Sequence, residues 1–153
     1  MTILEHILQM KLGALDGAFD GWTDERTVGR GYGYVDNVVE LAATENLLAG
    51  VVEGSTRYYT NVRLEKSGEL EAICSCPVGK RCKHSIALIL KAQQMLVAQA
   101  QVPSTIPEEW TTRPLERVRE DRDGVKCAVR VIKRLGEKSD DTFLDWPTAV
   151  GSW

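Results

Sequence analysis

The sequence predicts an α+β fold: a small antiparallel β-meander and a long helix, with flanking helices. Three observations carry this reading. Between Val38 and Cys74, the runs VVELA, NLLAGVVEG, RYYTNVRLE and ELEAIC are short, rich in β-branched and aromatic residues, and separated by turn residues. After Cys82, HSIALILKAQQMLVAQAQ runs to about Ala100 without a helix breaker. Between these two regions, the eleven residues Cys74–His84 (CSCPVGKRCKH) hold three of the four cysteines and one of the two histidines.

Taken in order, Thr2 followed by Glu5 forms a capping box, and Ile3, Leu4, Ile7 and Leu8 recur at helical spacing, which predicts a helix over 3–12. The glycines of LGALDGAFDGW end it. A short helix could start at Thr23, but Gly29, Gly31 and Gly33 each cost about 1 kcal/mol against Ala inside a helix and weaken that reading. In RYYTNVRLE, Tyr58, Thr60, Val62 and Leu64 alternate with Tyr59, Asn61 and Arg63, a strand with two different faces. KSGE (66–69) is a turn, so residues 38–74 read as an antiparallel meander. The long helix presents an apolar face through Ile86, Ile89, Leu90 and Leu96.

VPSTIPEEW (102–110), with two prolines, reads as a connector, and LERVRED as a short helix. VKCAVRVIKRL fits a helical face through Val125, Ala128, Val129 and Ile132 and a strand through Val125, Cys127, Val129 and Val131; its eleven residues favour the helix. The polar tail that follows reads as irregular. Trp110, Trp146 and Trp153 lie in the last third, where they serve either as interface anchors or as lids on a small core.

At 153 residues, 43% hydrophobic and 27% charged, the chain has the size and composition of one soluble globular domain with an appended region. The N-terminus has no basic start, and Glu5, His6, Gln9 and Lys11 interrupt its apolar run, so it does not read as an export signal. No stretch is apolar for long enough to span a bilayer. An intracellular, reducing compartment is expected, where cysteines act more often as metal ligands or nucleophiles than in disulfides.

Cys74, Cys76, Cys82 and His84 form C-x-C-x5-C-x-H. Three thiolates and one imidazole are a known structural set for tetrahedral zinc. Cys74 and Cys76 are two apart at a strand end and can face one side. Pro77 and Gly79 let the chain reverse, and Cys82 and His84 fall at the helix entry, where the partial positive charge of the first amides favours thiolates. One Zn²⁺ with three thiolates and a neutral imidazole carries a net charge of −1. A disulfide, a Cys–His nucleophile and a catalytic zinc are weaker alternatives: there is no export signal, nothing marks a base or an oxyanion hole, and four good ligands leave no open position. Cys127 reads as a small core residue outside the ligand set.

This spacing, with Pro77 after the second cysteine and an apolar helix after CKH, resembles the SWIM zinc finger. GRGYGYVDNVVELAATENLLAGVVEGSTRYYTNVRL resembles the lead-in of such domains, with an Arg-Gly-Tyr segment before short strands and a V-x-G-S turn at Val52–Ser55. The resemblance covers roughly 25–100. It divides the chain into an N-terminal helical segment (1–24), a SWIM-type domain (25–101) and a C-terminal extension (102–153). It implies a ββα zinc fold that binds nucleic acid, other proteins or both, as in family members found in helicases and transposases. The chain has no phosphate loop of its own, so the expected role is a non-enzymatic interaction module with no small-molecule substrate and no membrane contact.

The partner stays open between two classes. DNA or RNA would be bound by an accessory to nucleic-acid-processing machinery; a protein partner, such as a helicase, transposase or other ATPase, would be bound by a docking adaptor. The formal charge of −3 excludes a generally polyanion-binding surface. Residues 57–91 nevertheless hold seven Lys or Arg against three Glu. Lys80, Arg81 and Lys83, beside the cysteines, are the candidate nucleic-acid contacts, and the alternative is that they stabilise the thiolates. Arg30, Tyr32 and Tyr34 could stack on bases, but core packing is the stronger reading for the tyrosines.

Overall fold

The computed structural model describes residues 1–10 and 19–121. Expectations for residues 11–18 and for everything after Asp121, including Cys127, Trp146 and Trp153, lie outside the described residues. The fold is α+β, with elements in the order α1 (Ile3–Gln9), α2 (Glu25–Gly33), a 3-10 turn (Val35–Asn37), β1 (Val38–Ala43), β2 (Leu47–Glu53), β3 (Arg57–Leu64), β4 (Leu70–Cys74), α3 (Lys83–Val97) and α4 (Glu108–Asp121).

The four strands pair antiparallel in sequence order, β1-β2-β3-β4. The register Leu48↔Val62↔Ala72 places three apolar side chains on one face, where they join the main core. The opposite face carries Ala42, Ala49, Val51 and Tyr59 against Trp110. The alternation in β3 is therefore read by two different layers.

Helix α3 is the centre of the first layer. Ile86, Ile89 and Leu90 are buried and Leu96 is partly buried, as the sequence predicts. Ala87, Leu88 and Ala92 are buried as well, because the sheet, α1 and α2 together surround the helix. Two glycines permit this approach. A Cβ on Gly50 would meet Leu88 Cδ1 at 2.5 Å and the Glu40 carbonyl oxygen at 2.7 Å, and a Cβ on Gly31 would collide with Ile86. Helix α2 thus forms despite its glycines. Asp24 caps it, accepting from the Thr27 N–H, and that bond holds the Asp24 carboxyl below its ordinary pKa.

The second layer differs from expectation. One helix, α4, begins at Glu108, inside the stretch read as a connector, and runs through Pro114. Pro114 has no N–H to give the Trp110 carbonyl four residues back. The buried Asn61 Nδ2 donates to that carbonyl instead, at 2.8 Å. The missing helix bond is replaced by one from the sheet, which also anchors α4 to β3.

Both sheet edges are partly covered. Beyond β4, Ile73 bridges Lys80, the Cys74 N–H donates to the Gly79 carbonyl and the Arg81 N–H donates to the Ala72 carbonyl. Beyond β1, the Ala43 N–H donates to the Pro103 carbonyl. Among the described residues, no helix is long and apolar enough to cross a membrane.

Candidate metal centre

The last residue of β4 supplies Cys74, and Cys76 follows two residues on. Gly79, at φ +84°, then turns the chain back along the β4 edge, where the two backbone bonds above seat residues 79–81. Cys82 is the N-cap of α3. Its carbonyl accepts from the Ser85 and Ile86 N–H groups and from the Ser85 hydroxyl at 2.6 Å, while its sulfur makes no cap bond. The sulfur is thereby left for the cluster, and His84 follows within the first helical turn.

The three sulfurs and one imidazole nitrogen lie within 4.8 Å of one another, and all four residues are buried. His84 Nδ1 stands 3.7 Å from Cys74 Sγ and 3.6 Å from Cys82 Sγ. Tetrahedral zinc, with Zn–S about 2.3 Å and Zn–N about 2.0–2.1 Å, separates a sulfur from a nitrogen by about 3.5 Å. The spacing and the soft donor set both fit one zinc ion. Nδ1 is the ring nitrogen that these distances bring to Cys74 and Cys82, and the other nitrogen, Nε2, is buried with no hydrogen-bond partner. Tyr58 stacks on the imidazole at 4.5 Å between ring centroids and Tyr34 meets it edge-on at 5.4 Å, which fixes the ring plane.

Without a cation the cluster cannot spread three negative charges. Burial pushes the Cys74 thiol well above its ordinary pKa. At Cys82 the bond with Cys74 pulls down, but the bond with Cys76 and burial outweigh it, leaving the thiol at about 12. Bonds from Cys74 and Cys82 stabilise the Cys76 thiolate and pull its pKa far down. The three sulfurs titrate as one linked set, because like charges this close and this buried disfavour one another.

The three basic residues predicted beside the cysteines have different surroundings. The Arg81 guanidinium donates to both Glu71 carboxylate oxygens, at 2.7 and 3.0 Å, and to the Trp22 carbonyl at 3.1 Å. Lys83 Nζ lies 4.5 Å from the centroid of the Tyr34 ring. Lys80 is half-buried in the bridge to Ile73. At the tip of the loop, Pro77 and Val78 are exposed, Val78 at 68%. The sequence reading missed Tyr58 and Glu71 as parts of the site. Their signal was the strand alternation, which puts Tyr58 on the α3 side and Glu71 on the same face as Arg63.

Residues 60–93 match the family model of the SWIM zinc finger. Comparison with curated proteins and with solved structures returns no match. The matched segment begins in β3 and ends within α3, and so contains all four Cys and His residues of the cluster.

Proposed function

We propose that Cys74, Cys76, Cys82 and His84 Nδ1 are the ligands of one structural zinc, and that the SWIM zinc finger serves as a non-enzymatic interaction module. The observation that carries this reading is a set of four soft donors, all buried and mutually within 4.8 Å. A filled tetrahedron leaves no position for an activated water. Metal analysis of the purified protein is expected to give one zinc per chain. A zinc-free folded protein, or a metal-bound water in an experimental structure, overturns the assignment.

For the partner, nucleic acid is the reading offered first, as an accessory to machinery that processes it. Lys80 and Lys83 are the phosphate contacts of this reading, and the Arg81 guanidinium stays with Glu71 and the Trp22 carbonyl. Two phosphate contacts predict a log–log salt slope of about −1.8 on duplex and about −1.4 on single strands. The Lys80→Glu/Lys83→Glu variant should lose binding and keep its zinc. The exposed Pro77–Val78 tip favours a second reading, a protein-docking adaptor. No detectable binding to either form of nucleic acid at low salt decides for that second reading.

A further inference from the structure

Arg81 immediately precedes Cys82 in the loop that joins the two candidate ligand pairs, and its guanidinium pairs with Glu71. Its φ is +45°, in the left-handed region that side chains other than glycine seldom occupy. A residue stays there only when its surroundings hold it. Four groups do so. The Arg81 N–H donates to the Ala72 carbonyl at 3.2 Å, and the Arg81 carbonyl accepts from the Thr23 hydroxyl at 3.1 Å. The guanidinium forms a two-pronged pair with Glu71 and also bonds the Trp22 carbonyl. It lies 5.4 Å from the centroid of the Trp22 ring, and that indole N–H donates to the Leu70 carbonyl at 2.6 Å.

We infer that Arg81 is a positioning residue for the metal centre: its fork to Glu71, braced by Trp22 and Thr23, sets the backbone turn that aims Cys82 and His84 at Cys74 and Cys76. This rests on the zinc assignment above. Two ligands lie on β4 and just beyond it, and the other two open α3. Along the chain, residues 77–81 join the pairs, so the Arg81 turn helps set how one pair meets the other. Glu71 is on the same strand as Cys74, three residues earlier, which makes the Arg81–Glu71 fork a second tie across the gap that zinc closes. A lysine keeps the charge but not the planar fork.

The test is zinc release to a competing chelator, followed by a metal-sensitive dye on the full chain. Outer supports of a metal ligand typically change metal affinity by about 10–100-fold. Arg81→Ala and Arg81→Lys should each release zinc faster by about that factor, and Glu71→Gln should do the same. The double variant Arg81→Ala/Glu71→Gln should be no faster than Arg81→Ala alone, because the pair acts as one unit. Leu115→Ala, a core truncation on the α4 side, controls for general loss of stability and should release zinc at the wild-type rate. The inference fails if Arg81→Lys behaves as wild type, if the Arg81 and Glu71 effects add, or if Leu115→Ala speeds release equally. Wild-type protein that carries no zinc overturns the ligand assignment itself, a distinct result. If Arg81→Ala does not fold, Glu71→Gln and Arg81→Lys carry the same comparison.

Discussion

Cys82 has two roles within a single residue. Its carbonyl opens α3 by accepting from Ser85 and Ile86, and its sulfur faces Cys74 and His84. Structural zinc in finger peptides contributes about 10–16 kcal/mol of apparent binding energy coupled to folding. Replacing Cys74, Cys76, Cys82 or His84 by Ala is therefore expected to abolish zinc content and lower the melting temperature sharply. Cys127→Ser should keep full zinc, which metal analysis of the five variants checks. The four residues of the cluster were legible in the sequence because soft donors at short spacing stand out along the chain. The supports were not. Tyr58 packs on His84 from 26 positions away and Trp22 braces Arg81 from 59 away, and only the folded register brings them together.

At the scale of elements, α3 and the meander follow directly from periodicity. Leu90 is buried on α3, so Leu90→Ala should cost about 2–5 kcal/mol in a denaturant titration. Helices α2 and α4 were harder to read, because glycine and proline ordinarily mark breaks. Here Gly31 is set by a packing demand, since any larger residue meets Ile86 and crowds the Lys83 carbonyl at 3.1 Å. Pro114 is tolerated because the replacement donor comes from β3, 53 residues earlier. Asn61→Ala should leave the Trp110 carbonyl unpaired and cost about 1–3 kcal/mol. In a Pro114→Ala background the helix can supply its own donor, and the same Asn61 truncation should cost less. A double-mutant cycle measured by chemical denaturation reads that difference.

For the whole molecule, the sheet ends matter more than its middle. The far side of β4 is covered by residues 79–81, which the cluster holds at Cys76 on one side and Cys82 on the other. Chelation removes the attachment at Cys76 and Cys82 and leaves the Arg81 contacts with Glu71, Trp22 and Thr23 to hold this cover alone, so that it lifts more readily. The Ala72 carbonyl and the Cys74 N–H then face outward on an edge strand that also carries the apolar Ile73 and Leu70. Unpaired strand edges recruit further strands. Metal-stripped protein is thus expected to self-associate in proportion to its concentration, with light scattering rising after chelator addition and zinc added early reversing it. A chelated sample that stays monomeric at high concentration would show that the edge remains covered without the ion. Zinc supply would then govern the solubility of the chain as well as its shape.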